Sequence, residues 1–360
     1  MQPSTQQKLL EIVSGKRNGI VPLFVRGVLS CLTPFYRLAI TRRNKKFDSG
    51  QDVNRVDVPV ISIGNITTGG TGKTPMVIYV AKLLRSMGLR VAIVSRGYGR
   101  DEGSQATRSV NDEALELEHR LPDVPHLQDP DRSRIAAIAI EELESQVILM
   151  DDGFQHRRLH RDLDIVLIDA LVPFGYGRLL PRGLLREPLS SFARADVIVV
   201  TRCDAVDDSA LSLLKTKLKS HNSGAVIAAA RTVHGGWIQF DNERSIAGPE
   251  AGSKVFAFCA IGNPAGFRHS LEQTGVEVCG FREFPDHHNF SRDELEQVTA
   301  DAKSSGAESI VCTHKDLVKV CVNRLGGLAV HAMLIETVLD AEQSEFESKI
   351  RVAAACRGSL

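Results

Sequence analysis

A chain of 360 residues, 43% apolar and 24% charged, has room for two domains with real cores and the composition of an ordinary soluble globular protein. Seven scattered cysteines, odd in number and without a CxxC pair, argue against a disulfide framework or a zinc site and suggest a reducing compartment. A net charge of zero argues against bulk nucleic-acid binding. That zero hides an asymmetry: residues 1–50 carry nine Lys and Arg against Glu11 and Asp48, a surplus of +7.

The first element is a basic arm, residues 1–50. Residues 20–40 are mostly apolar, but Arg26 and Arg37 interrupt them, so an uncharged span of about 18 residues is missing. Arg26, Ser30, Thr33 and Arg37 fall at helical spacing on one narrow polar stripe, and Arg42, Arg43, Lys45 and Lys46 follow. A wide apolar face with a basic flank predicts an amphipathic helix lying in an anionic membrane interface. A core helix or a subunit interface is the plainer alternative. Pro34 is expected to kink this helix or to start a second one. No signal-peptide cleavage pattern is seen.

Residues 58–63 are short, apolar and β-branched, as a buried parallel strand should be. They run into Gly69, Gly70, Thr71, Gly72, Lys73 and Thr74, with Pro75 suited to a first helical turn. Strand, glycine loop, Lys-Thr and helix form the phosphate cradle of a P-loop. Its amides and helix dipole meet phosphate, Lys73 adds a charge, and Thr74 holds Mg²⁺. The usual first glycine of that motif is Thr67 here. A nucleoside triphosphate is the expected ligand.

A helix over 76–87 and a strand over 89–94 follow, the latter ending in a glycine-spaced basic loop with Arg96 as a candidate phosphate or substrate ligand. Residues 101–133 read as polar and irregular, 134–144 as helix, and 146–150 as strand. That strand feeds Asp151 and Asp152, where a P-loop protein keeps the Walker B carboxylate that holds Mg²⁺ directly or through water; one of the pair is expected to point elsewhere. Strands are expected over 164–169 and 197–201, and between them a Gly/Pro-rich loop bears Arg178, Arg182, Arg186 and Glu187. Three arginines in a constrained loop suit an anionic, bulky substrate. Thr201-Arg202-Cys203-Asp204 reads as a strand-end turn.

From about residue 224 a second α/β pattern begins. Strands are expected over 225–230, 254–260, 276–281, 309–312 and 328–334, with helices over 265–274, 292–304 and 341–355. Ser291 and Glu294 form a capping box for the middle helix. The domains expected are thus the arm 1–50, a P-loop domain 51–223, and a smaller α/β domain 224–360, whose last helix is able to pack back on the first. The fold class is α/β: a P-loop NTPase-like, mainly parallel sheet, a second smaller α/β domain, and an N-terminal amphipathic membrane-associated helix.

GNITTGGTGKTP, SRGYGR, DDGFQHRRLHRDLDIVLIDA, GYGRLLPRGLLREP, AIGNPAGF, FPDHHNFS and THKDLVK, in this order behind a basic apolar arm, resemble the tetraacyldisaccharide 4′-kinase family across nearly the whole chain. The resemblance implies transfer of phosphate from ATP, with Mg²⁺, to the 4′-hydroxyl of a tetraacylated glucosamine disaccharide 1-phosphate, a lipid A precursor, at the cytoplasmic face of the bacterial inner membrane. It implies that Lys73 and Thr74 hold phosphates and Mg²⁺, with Asp151 and Asp152 completing the metal site. It further implies Asp112 as the catalytic carboxylate, His287 as its partner, and Arg96, Arg134, Arg186 and Glu187 near nucleotide or substrate. The family's Gly and Pro around that aspartate are Asn111 and Ala114 here, and Arg182 and Leu184 also depart from its usual residues. No nucleic acid and no obligate protein partner are expected. The alternative is a P-loop GTPase or ATPase switch, or a metallochaperone, without small-molecule kinase activity.

Overall fold

Short runs of Val, Ile and Leu, buried on both faces and separated by helical segments, dictate parallel strands with helices packed above and below. The computed structural model describes residues 5–97, 112–240, 246–286, 288–340 and 342–356, and the backbone alone of residues 5–8 and 112. In chain order the elements begin with α1 (Thr5–Ser14), α2 (Ile20–Asp48), β1 (Val60–Asn65), α3 (Lys73–Ser86) and β2 (Val91–Ser95). Next come α4 (Asp112–Arg120), β3 (His126–Gln128), α5 (Arg132–Glu141), β4 (Val147–Asp151), β5 (Leu163–Asp169), β6 (Val197–Thr201), α6 (Asp208–His221) and β7 (Val226–Ile238). Then follow β8 (Lys254–Cys259), α7 (Pro264–Gln273), β9 (Glu277–Glu283), α8 (Arg292–Ser304), β10 (Ser309–Thr313), α9 (His314–Val320), β11 (Arg324–Leu325), β12 (Leu328–Leu339) and α10 (Gln343–Ala355).

The chain forms two compact units. The first holds Met1–Arg96, Val124–Arg231 and Val338–Leu360; the second holds Gly97–Asp123 and Thr232–Thr337. β7 and β12 each run from one unit into the other. In the first, the strand order is β3-β2-β4-β1-β5-β6-β7, every pair parallel. β1 and β4 are buried at every position, which fits their place in the middle. The helix α10 returns to this unit, its Phe346 ring 6.0 Å from Tyr79 of α3. In the second unit β10 lies between β12 and β8, and β9 follows β8, again parallel. Alternate residues of β8 feed opposite cores: Phe256 and Phe258 one, Val255, Ala257 and Cys259 the other. Ser291 and Glu294 cap α8 reciprocally, as their spacing predicts.

Two local expectations differ from the structure. The stretch 101–133 contains α4 and β3 among its described residues. Helix α2 runs unbroken through Pro34, whose ring is exposed, so that the carbonyl deprived of its donor can bond water. By length and composition alone α2 is also able to cross a membrane. Its inward positions, Leu29, Thr33, Tyr36, Ile40 and Asn44, keep helical spacing and lie against the body. Its outward face is apolar: Ile20 is 88% exposed, Phe24 71% and Phe35 72%.

Candidate active site

β1 sets the site. Its register pairs Ile63 with Asp151, so the loop leaving β1 and the acidic end of β4 emerge side by side at the C-terminal edge of the parallel sheet. Gly64 is required there, because a Cβ would lie 2.7 Å from the backbone nitrogen of Phe154. Gly72 caps α3 with φ 79°, in the left-handed region, and no side chain caps the helix. The first amides of α3 therefore remain available to an anion. Thr67 needs no glycine: it bridges Leu185 in extended form, and the Thr68 amide donates to the Leu184 carbonyl at 2.8 Å.

The loop is braced from below. Asn65 Nδ2 donates to Thr71 Oγ1 at 2.9 Å, and Thr201 Oγ1 donates to the Thr71 carbonyl at 3.0 Å. Arg202 Nη2 reaches the Gly70 carbonyl at 2.7 Å and also pairs with Asp169. Gln155 Nε2 donates to the Asn65 carbonyl at 2.9 Å. Asn65 Oδ1, buried, has no hydrogen-bond partner in the protein.

Asp151 and Asp152 diverge, as adjacent strand-end residues should. Asp151 ends β4 and is buried, whereas Asp152 turns aside at φ 48°. Arg186 Nη1 donates to both Asp152 carboxylate oxygens, at 3.0 and 2.9 Å, and Lys73 Nζ lies 3.6 Å away. Arg132 Nη1 holds the Asp152 carbonyl at 2.9 Å. Burial pushes the Asp152 carboxyl upward, but Lys73, Arg186 and Arg132 outweigh it, and the group lies below its ordinary range. Thr74, Asp151 and Asp152 offer hard oxygen ligands, the type Mg²⁺ takes when phosphates supply the rest. Among the described residues no cluster of three or more His, Cys, Asp or Glu could form a metal cage.

A family model described as tetraacyldisaccharide-1-P 4′-kinase matches residues 25–354. The chain belongs to that kinase family. Tetraacyldisaccharide 4′-kinase of Halothermothrix orenii is 35% identical over 347 residues, 89% of each chain. That of Anaeromyxobacter sp. strain Fw109-5 is 37% identical over 339 residues, 90% of each. The crystal structure of LpxK from Aquifex aeolicus in complex with ATP superposes with a TM-score of 0.71 at 30% identity, covering 91% of this chain and 99% of that one.

Within this member of the kinase family, the structure brings Lys73, Thr74, Asp151, Asp152 and Arg186 to one sheet edge. Other expected residues stand apart. Arg96 is exposed beyond β2, and Arg134, also exposed, pairs with Asp129 at 2.5 Å. Glu187 turns inward and is fully buried: Arg43 and Asn44 of α2, Ser191 and Arg194 donate to its carboxylate at 3.3, 2.9, 2.8 and 3.0 Å. Its geometry is that of a strut between α2 and the body. Glu187→Ala should lower stability by about 3–5 kcal/mol by leaving the part-buried Arg194 and Arg43 without their counter-charge, read as an earlier denaturation midpoint. The side chain of Asp112 and all of His287 lie outside the described residues.

Arg132 was not singled out from the sequence, Thr201 and Arg202 were read only as part of a strand-end turn, and Gln155 was given no role. Only Gln155 carried a usable signal, lying within the distinctive DDGFQH run. The other three act through contacts 20 to 132 residues away in the chain, which no local pattern encodes.

Proposed function

We propose that the chain transfers the γ-phosphate of ATP to the 4′-hydroxyl of a tetraacylated glucosamine disaccharide 1-phosphate, giving the bisphosphorylated lipid A precursor. The observation that carries this is the uncapped start of α3 beside Lys73, with Asp152 and Arg186 opposite, in a chain that a 4′-kinase family model covers almost end to end. The ATP complex of the Aquifex aeolicus relative supports ATP as donor.

In this reading residues 69–74 bind the triphosphate, and Lys73 takes charge as the β–γ bond breaks. Thr74 and Asp151, with Asp152 beside them, would hold Mg²⁺, which neutralises phosphate charge when bound. Arg186 orients Asp152 and keeps it ionised. Asp112, oriented by His287, accepts the hydroxyl proton as the 4′-oxygen forms its bond to phosphorus, and the leaving oxygen keeps the electron pair with ADP. Arg96 and Arg134 lie near substrate or nucleotide on the strength of the family resemblance alone.

Arg26, Arg178 and Arg182 supply a basic cluster at the arm. Burial, and the charges of Arg178 and Arg26, pull the Arg182 guanidinium down, and its Nη1 donates to the Val13 carbonyl at 2.9 Å. The arm lies in the cytoplasmic leaflet of the inner membrane with its apolar face inward to lipid. Tyr36, Arg43 and Asn44 tie the second half of α2 to the body. Residues 20–35 alone would extend roughly 24 Å, less than the ~30 Å hydrocarbon layer. Phe24→Asp with Phe35→Asp should cut binding to anionic vesicles by about tenfold or more, with denaturation unchanged, since both rings are exposed. Sedimentation with vesicles checks this.

The deciding assay is incubation with γ-labelled ATP, Mg²⁺ and detergent-dispersed tetraacyl disaccharide 1-phosphate. Label should appear in a bisphosphorylated lipid. Label left wholly on nucleotide and inorganic phosphate would end this reading.

A further inference from the structure

The glycine loop is held by two residues that stand outside it, at the end of β6. Arg202 Nη2 donates to the Gly70 carbonyl at 2.7 Å and pairs through the same nitrogen with the Asp169 carboxylate. That nitrogen carries two hydrogens, so both are spent and neither is left for phosphate. Asp169 is itself fixed, its Oδ1 accepting from the Leu171 amide at 3.0 Å. One residue earlier, Thr201 Oγ1 donates to the Thr71 carbonyl at 3.0 Å. The Ile168 carbonyl, at 3.3 Å, is the more distant acceptor for that hydroxyl.

A planar trans peptide places its carbonyl and the following amide on opposite sides. Holding the Gly70 and Thr71 carbonyls therefore turns the Thr71 and Gly72 amides the other way. Neither amide donates to an acceptor among the described residues, although Thr71 is only 3% exposed. A buried amide nearly always has an acceptor in a folded protein, and the uncapped start of α3 alongside favours an anion in that role. Packing does not supply this order. A Cβ at Gly70 would meet nothing within 4 Å, so the peptide swings freely unless its carbonyl is held. Arg202 stands at φ 56°, left-handed backbone that costs a residue with a Cβ and that gathers at functional sites.

We propose that Arg202, aimed by Asp169, and Thr201 are positioning residues that hold the Thr71 and Gly72 amides toward the triphosphate before nucleotide arrives. The inference rests on the reading of residues 69–74 as the triphosphate site. The loop then meets its anion already ordered, and affinity for any polyphosphate depends on the two residues, whatever base it carries.

The test uses the full-length chain as wild type, as T201V, and as R202M combined with D169N so that no part-buried carboxylate is left unpaired. Calorimetric titrations are made with MgATP and with inorganic tripolyphosphate, which has neither base nor sugar. Gly70–Thr71 is the sole Gly–Thr step in the sequence, so ¹³C′-glycine with ¹⁵N-threonine labelling isolates the signal of that one peptide.

Both variants should bind tripolyphosphate and ATP about tenfold more weakly, by the same factor for each ligand. Without ligand, the Gly70 carbonyl signal of the R202M, D169N protein should lie upfield of wild type. At saturating tripolyphosphate its Thr71 amide proton should fall short of the wild-type downfield position. Affinity kept in either variant, or lost for ATP but not for tripolyphosphate, overturns the proposal. So does a Thr71 amide that reaches the wild-type position in the R202M, D169N protein, which would make Arg202 a direct phosphate ligand. If wild type takes up neither ligand while the Gly70 carbonyl moves as stated, the brace stands and the nucleotide reading is what fails.

Discussion

Lys73→Ala is expected to lower turnover by about 10²–10³-fold and to weaken ATP binding as well. Lys73 sits in the first turn of α3, where the helix offers its own unpaired amides to the same anion. Its side chain is 13% exposed, and its ammonium group lies 3.6 Å from Asp152. Two losses follow from its removal: a positive charge where negative charge grows on the transferring group, and one of the cations that keep Asp152 ionised. Lys73→Arg should not restore the rate, since a planar fork does not replace a compact ammonium at this spacing. Initial rates with labelled ATP, together with calorimetric titration of nucleotide, separate the two effects. Equal loss of rate with intact binding would remove Lys73 from the ground-state clamp.

Asp112→Ala and His287→Ala are each expected to cost about 10²–10⁴-fold in turnover while nucleotide binding largely persists. The reason is that a base acts on the acceptor hydroxyl, not on the triphosphate. If Asp112 takes the proton and His287 orients it, the double variant should be little worse than either single one, because the pair acts as a unit. Near-normal turnover in both single variants would discard the dyad. A loss that multiplies in the double variant would make the two residues independent contributors.

The phosphate cradle was legible from sequence because it is local: strand, glycines, Lys73 and Thr74 lie within one short run. Even the departure at Thr67 has a simple cause, since extended backbone paired with Leu185 asks for no glycine. What lies opposite was only half legible. Arg186 was picked out as an anion ligand, yet it meets Asp152, a residue 34 positions earlier, and no periodicity reports such a meeting. Glu187 shows the same limit more sharply: it was expected near nucleotide or substrate, but it is buried and α2 supplies two of its donors. Helix α4 was passed over because Glu116 and His119 made its inward face look polar. Their partner, His314, is nearly two hundred residues away. The spacing of Ala114, Leu117 and Leu121, all buried, was the signal present.

Arg186 and Glu187 are neighbours facing opposite ways, one gripping Asp152 and the other gripping the arm. A single peptide linkage therefore joins the residue that holds α2 to the residue that holds Asp152. Clipping the arm to obtain a water-soluble variant is consequently not a neutral manoeuvre. Such a variant would leave Glu187 without two of its donors, beside Arg186, and its kinetics would be those of a disturbed site.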